Sequence, residues 1–266
     1  MTPYAEVIGD PIVQSKSPIV QGYWLEALGI EGEYRRHRVG QAELAAYIAD
    51  RRADPAWRGS NVTMPLKLDA LDQADEASDR AVAAGAANLL LPRDGRIFAA
   101  NTDVHAVQTL IERHAPLTSV TVLGNGGAAR AALVALRLAG IGNVRMAARD
   151  LGAARKLCVQ FNLDQPPVPL TEAIESQGLI NATPLGMAGR DALHCDLGRM
   201  PPDGFVFDMV SVPAVTPLIA AARARGLRSV TGLDMLVEQA ATSFKLMFGA
   251  EAPRDRDPGL WQRLSE

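Results

Sequence analysis

The chain has 266 residues, 48% of them hydrophobic, which allows two modest domains with real cores. With 27 Lys and Arg against 30 Asp and Glu, its net charge of −3 excludes the basic excess expected of a nucleic-acid or anionic-membrane binder. Two cysteines, Cys158 and Cys195, are too few for a disulfide framework, and His37, His105, His114 and His194 show no ligand spacing, so no metal is expected. No apolar run approaches the roughly 18 residues of a membrane span, and no charged-then-apolar leader opens the chain. A cytoplasmic, soluble α/β protein, monomeric or homodimeric, is expected.

In chain order, Tyr4 to Asp10 reads as a strand that runs into a polar loop, Gln14-Ser15-Lys16-Ser17-Pro18. A helix follows through Tyr23, Trp24 and Leu28 and stops at Gly29. Two serines at a strand end offer hydroxyl donors to a small anion such as a carboxylate, although Ser-Pro is also ordinary loop chemistry. Glu33 to Val39 is a second strand, and its basic run Arg35-Arg36-His37-Arg38 reads as a solvated edge. Gln41 to Arg52 has helical spacing. Next comes a short strand on which Asn61 and Thr63 share a face, ended by Pro65 with Lys67 on a tight loop beyond. That arrangement suits a pocket wall, or else a half-exposed edge strand. One helix is predicted from about Asp69 to Ala84. Asn88-Leu89-Leu90-Leu91 and Ile97-Phe98-Ala99-Ala100 then form a hairpin about Asp94-Gly95. Asn101-Thr102-Asp103 caps the helix after it, predicted over Val104 to His114.

From Thr118 strands and helices alternate. The apolar run Val120 to Leu123 breaks into Gly124-Asn125-Gly126-Gly127-Ala128-Ala129 and becomes helical up to Gly140. A strand feeding a glycine turn that opens a helix is the setting of a dinucleotide fingerprint. The first glycine makes the turn, the second lets a pyrophosphate approach, and the helix N-terminus supplies N–H groups to that anion. Asn143 to Ala148 is the next strand, and Arg149-Asp150 stands where such a fold reads the adenosine ribose. Further strands are predicted at Val168–Leu170, Leu179–Ala182, Phe205–Met209 and Ser229–Val230, with a helix opened by Thr216-Pro217 and closed at Gly226. Asp234 to Phe248 is amphipathic, and Glu251 onward is polar and expected to be loosely held.

These motifs resemble, in order and over nearly the whole chain, those of the shikimate dehydrogenase family. Ser15-Lys16-Ser17-Pro18 is similar to its Ser-x-Ser-Pro, and Asn61-Val62-Thr63-Met64-Pro65-Leu66-Lys67 to its Asn-Val-Thr-x-Pro-x-Lys. Gly85-Ala86-Ala87-Asn88, Asn101-Thr102-Asp103, the glycine loop, Asn181-Ala182-Thr183-Pro184-Leu185-Gly186-Met187 and Gly232-Leu233-Asp234-Met235 through Gln239-Ala240 complete the series. The resemblance implies a substrate-binding catalytic α/β domain over 1–103, completed by C-terminal helices in 234–266, and a doubly wound Rossmann-type NAD(P)-binding domain over 104–233. The active site is implied in the cleft between them. Lys67 and Asp103 are implied as the catalytic pair. Ser15 and Ser17 would hold the substrate carboxylate, and Asn61, Thr63, Asn88 and Gln239 the ring hydroxyls. Gly124, Asn125, Gly126, Gly127, Ala128, Arg149, Asp150, Thr183, Met209 and Gly232 would face the cofactor.

The implied reaction is NAD(P)-dependent interconversion of shikimate and 3-dehydroshikimate, which needs a group that takes and returns the hydroxyl proton. Three departures adjoin the implied pocket: Gln21-Gly22 for the usual His-Asn, Leu89 for a threonine, and Ser211 for a common tyrosine. They extend the candidate substrates to quinate or an aminoshikimate. A non-catalytic ligand-binding paralogue is the rival, which retention of both Lys67 and Asp103 disfavours. For the cofactor, NADP-preferring members usually carry Asn-Arg-Thr or Asn-Arg-Ser where this chain has Ala148-Arg149-Asp150. A carboxylate accepts from ribose hydroxyls and repels a 2′-phosphate, so Asp150 points to NAD over NADP. An Asp150 that caps the next helix, with Arg155 supplying positive charge, would point the other way.

Overall fold

The computed structural model describes residues 1–114 and 116–265. Its chain divides into two compact units, one made of Met1–Thr102 with Val237–Glu266 and the other of Asp103–Leu236.

The first unit contains β1 (Tyr4–Gly9), α1 (Ser17–Leu28), β2 (Glu33–Arg38), α2 (Leu44–Arg52), β3 (Trp57–Val62), α3 (Lys67–Asp72), β4 (Glu76–Ala77), α4 (Asp79–Ala84), β5 (Leu89–Arg93) and β6 (Arg96–Ala100). The strands form one mixed sheet in the order β2-β1-β3-β5-β6-β4. β1 pairs in parallel with β2 and β3, and the β5–β6 hairpin joins β3 antiparallel. Asp94 and Gly95 both adopt positive φ (51° and 75°), the two-residue turn that Asp-Gly favours. Ile8, Leu44, Trp57, Leu66, Leu90 and Ile97 lie in one apolar cluster.

Two sequence expectations change here. The helix expected over Asp69 to Ala84 is broken in two, because Glu76 and Ala77 leave helical geometry to pair with Phe98 and Ala99 of β6. β3 is a central strand that ends at Val62, so Thr63 lies just past it and Lys67 opens α3 instead of standing on a loop.

The second unit begins in α5 (Thr102–Glu112) and continues through β7 (Val120–Leu123), α6 (Gly127–Leu138), β8 (Val144–Ala148), α7 (Leu151–Gln160), β9 (Val168–Pro169), β10 (Gly178–Asn181), β11 (Phe205–Asp208), α8 (Pro217–Ala224) and β12 (Arg228–Val230) into α9 (Gly232–Phe248). Its sheet is wholly parallel, in the order β12-β11-β10-β7-β8-β9. Counted from β7, that is the doubly wound dinucleotide-fold order, with its switch point between β7 and β10. β7, β10 and β11 are buried along their whole length, as strands covered on both faces must be.

The last helix, α10 (Asp257–Ser265), and the 3-10 turn before it (Arg254–Arg256) return to the first unit. The segment expected to be loose is therefore ordered, with Leu260 and Leu264 buried.

Candidate active site

In the first unit several polar residues of interest lie at or just past the C-terminal ends of β1 and β3. Asn61 is buried near the end of β3; its Oδ1 accepts from the Tyr34 hydroxyl at 2.7 Å and its Nδ2 donates to the Asn88 carbonyl at 3.4 Å. Burial pushes the Tyr34 phenol well above its ordinary pKa, so it stays protonated as that donor. Asn88, just before β5, fastens the start of α5: its Oδ1 accepts the Thr102 N–H at 2.7 Å and its Nδ2 donates to Thr102 Oγ1 at 2.9 Å. Thr102 Oγ1 lies 3.3 Å from Gln239 Oε1 on α9, to which it donates. Asn61 thus joins Asn88 at its carbonyl, and Thr102 joins the Asn88 side chain to Gln239, residues far apart in sequence.

Lys67 is half-buried at the first position of α3, and its backbone carbonyl accepts from Ala87 N–H at 2.7 Å, next to Asn88. Thr63, half-buried, holds the connection to α3 by donating its N–H to Ile8 O and accepting from Leu66 N–H. Asp103 directly follows Thr102 in the first turn of α5 and is buried. The division of the chain assigns Asp103 to the second unit and Lys67 to the first.

Ser15 and Ser17 form a small hydroxyl pair, Oγ to Oγ 3.2 Å, with Ser17 N–H donating to Ser15 Oγ at 3.3 Å. The Arg36 guanidinium clamps the Ser15 carbonyl from two nitrogens, at 2.9 and 2.5 Å. The basic run in β2 is therefore more than a solvated edge. Alternation along the strand sends Arg36 to the serine loop, while Arg35 and His37 face Glu6 of β1 (3.2 and 3.6 Å). Glu6 has no exposed side-chain surface and also accepts from Arg51 and from the Tyr47 hydroxyl, each at 2.7 Å. Burial works against its charge, yet the Arg51 and Tyr47 hydrogen bonds outweigh it and hold the carboxyl below the usual carboxylate range. Gln21, one turn beyond Ser17, is fully buried, and its Nε2 donates to Ala240 O of α9 at 3.2 Å. Arg36, Tyr34 and Thr102 were missed as site residues because each acts on a partner distant in sequence.

The second unit holds the glycine loop. Gly124 sits at φ 103°, and a Cβ there would come 3.0 Å from Thr183 Cγ2 and 3.1 Å from Ala182 O, so this turn needs glycine. At Gly126 a Cβ would meet nothing within 4 Å, leaving room in front of the N-terminus of α6, where the helix starting at Gly127 presents free amides. Asn125, Gly127 and Ala128 are half-buried around that opening. A pyrophosphate group fits this cradle by charge and by space.

Beside it, Thr183 donates N–H and Oγ1 to Asn181 Oδ1 at 3.0 and 2.7 Å, and Asn181 Nδ2 donates to Asp208 Oδ1 at 2.9 Å. Asp208 also accepts from Val210 N–H and Thr216 Oγ1. Burial raises its pKa, partly opposed by those donors. Met209, half-buried, is tied back by its N–H to Asn181 O. Gly232 abuts the same loop: a Cβ there would fall 2.3 Å from Val210 O. Arg149 is exposed at the end of β8, and Asp150 is the N-cap of α7, its Oδ1 accepting Ala153 N–H at 2.9 Å. The carboxylate expected to serve the ribose is thus engaged by the helix it starts.

Residues 7–90 match the profile of the shikimate dehydrogenase substrate binding domain, and residues 232–256 that of the shikimate 5′-dehydrogenase C-terminal domain. The chain is 47% identical over 262 residues to a shikimate dehydrogenase (NADP(+)) of Sphingopyxis alaskensis, covering 97% of this chain and 96% of that protein. Among solved structures it resembles shikimate 5-dehydrogenase from Thermus thermophilus in complex with NADP(H) and shikimate (TM-score 0.88, 35% identity, 98% of this chain and 99% of that one). It also resembles quinate dehydrogenase from Corynebacterium glutamicum in complex with NAD (TM-score 0.86, 28% identity, 98% and 99%).

Proposed function

The chain belongs to the shikimate dehydrogenase family, and we propose that it interconverts shikimate and 3-dehydroshikimate with NADP(H). The observation that carries the substrate side is the chain Asn61–Asn88–Thr102–Gln239, which gathers amides from β3, the start of β5 and α9 in the same unit that carries the serine pair. A polyhydroxylated ring acid needs both kinds of group: hydroxyl donors for its carboxylate, and amides that both give and accept for its ring.

In this reading Ser15 and Ser17 hold the carboxylate, and Asn61, Thr63, Asn88 and Gln239 orient the ring hydroxyls. Lys67 Nζ takes the proton of the reacting hydroxyl during oxidation and returns it during reduction, and as an ammonium it stabilises the forming alkoxide. Asp103 is the carboxylate partner that orients the lysine and the substrate hydroxyl. When bound, NADP⁺ supplies the nicotinamide carbon that accepts hydride. Gly124 to Ala128 and the amides opening α6 receive its pyrophosphate, with Thr183, Met209 and Gly232 lining the approach. Of the two cofactors, NADP(H) is preferred because one oxygen of Asp150 is committed to capping α7, and Arg149 and Arg155 outweigh its single charge toward a 2′-phosphate. The similar proteins named shikimate dehydrogenase (NADP(+)) support the same choice. The sequence-based lean toward NAD rested on a carboxylate free to meet the ribose.

The test is a matrix of initial rates, shikimate and quinate each with NADP⁺ and NAD⁺, followed by absorbance of the reduced nicotinamide. Shikimate with NADP⁺ should give the highest kcat/KM; no turnover in any of the four would overturn the assignment.

A further inference from the structure

Within the first unit, α10 lies against α1, the helix that begins with the serine pair. Tyr23 donates its hydroxyl to Arg256 O at 2.8 Å, Trp24 Nε1 to Asp257 Oδ1 at 3.4 Å, and Arg263 pairs with Glu26 at 2.7 Å. Gly259 permits the approach, since a Cβ there would stand 2.5 Å from the Tyr23 hydroxyl. Arg254 then joins Asp257 (2.6 Å) to Glu238 (3.4 Å), the neighbour of Gln239 on α9.

One contact differs from the rest because it leaves the helix body and reaches the serine loop itself. Lys16, between Ser15 and Ser17, donates its Nζ to the Leu264 carbonyl at 2.5 Å. Leu264 is in the last turn of α10, where carbonyls lack intrahelical partners and the helix dipole favours a cation. Leu264 is itself buried, so this acceptor is fixed in place. The loop is therefore held at two successive residues, by Arg36 at Ser15 O and by α10 at Lys16.

We propose that Lys16 is a positioning residue for substrate binding: by capping the C-terminal end of α10 it holds Ser15 and Ser17 in the spacing that receives the substrate carboxylate. The proposal rests on the reading that these serines bind that carboxylate. Lys16 does not touch substrate in this scheme. Its contribution is to spare the loop the ordering cost that a free loop would pay on each binding event.

The test compares Lys16→Met, Lys16→Arg, the Ser15→Ala/Ser17→Ala pair, and Lys16→Met combined with that pair. Lys16→Met should raise KM for shikimate by roughly five- to tenfold, with kcat, KM for NADP⁺ and Tm nearly unchanged. Lys16→Arg, which keeps the cation, should stay within about twofold of wild type. In the serine-free background Lys16→Met should add less than about twofold, because a positioning residue has nothing left to position. An unchanged KM in Lys16→Met beside a raised KM in the serine pair overturns the proposal and leaves the carboxylate reading intact. Full additivity of the two changes also overturns it, by making Lys16 a direct charge partner of the substrate. A loss of Tm together with equal rises in both Michaelis constants overturns it as general loosening. A serine pair with normal shikimate saturation removes the carboxylate reading and the proposal with it.

Discussion

Replacing Glu6 with Gln tests whether the buried charge cluster under β1 anchors the first unit. Glu6 Oε1 accepts from Arg35 Nε at 3.2 Å and from Arg51 Nη2 at 3.3 Å, while Oε2 accepts from Arg51 Nε and the Tyr47 hydroxyl, each at 2.7 Å. Every carboxylate oxygen therefore faces at least one donor, and a Gln amide placed either way turns an N–H toward another N–H. Arg51 is left with only 15% of its side chain in water to compensate. Breaking one side of a buried pair costs about 3–5 kcal/mol. At roughly 2–4 °C per kcal/mol, Tm should fall by about 6–20 °C.

The pH dependence follows from the depressed carboxyl of the folded state. Its stabilisation is complete above the unfolded value of about 4.3 and is lost as pH falls through the lower folded value. Melting curves by circular dichroism at pH 7, 5 and 3.5 should give the same wild-type-to-mutant gap at the first two and a smaller gap at the third. Equal midpoints at pH 7, or a gap that widens in acid, would show that the ionised Glu6 does not anchor the first unit.

Asp150→Thr keeps a capping oxygen for Ala153 N–H while removing a negative charge. The ratio of kcat/KM for NADP⁺ over NAD⁺ should rise by about three- to tenfold with Tm nearly constant, and an unmoved ratio would place Asp150 outside cofactor discrimination. Asp208 is the opposite case, a buried acid with a raised pKa, so its ionisation costs stability, a cost absent below the unfolded value and complete above the folded one. Asp208→Asn should therefore be nearly neutral in thermal melts at pH 7. Asp208→Leu strips Asn181, Val210 and Thr216 of their acceptor and should cost about 2–4 kcal/mol; the reverse order of the two variants would contradict this assignment.

The features legible in the sequence are those whose cause is local. The turn at Asp94-Gly95, the Thr216-Pro217 helix start and the Gly124–Gly127 loop each carry their geometry in adjacent residues, and each appears as expected. Features set by distant partners were not legible. Nothing near Glu76 announces that it will leave a helix to pair with β6, and nothing in Arg35-Arg36-His37-Arg38 shows that a buried Glu6 awaits two of its members. The tail from Glu251 looks polar because the buried apolar positions among its described residues, Leu260 and Leu264, stand among charged neighbours, although their i,i+4 spacing is a signal. Asp150 carries two local signals, a charge where a ribose is read and an N-cap before Leu151-Gly152-Ala153, and the sequence alone does not choose between them; the fold takes the cap.

In the proposed reaction Lys67, opening α3 beside the Asn88 segment, carries the proton in shikimate oxidation. Steady-state kinetics of Lys67→Ala test it most directly. The kcat should fall by about two to four orders of magnitude with KM for NADP⁺ nearly unchanged, the scale of a lost general acid and base. Turnover at the wild-type rate would contradict it, leaving Lys67 an ordinary helix-opening lysine.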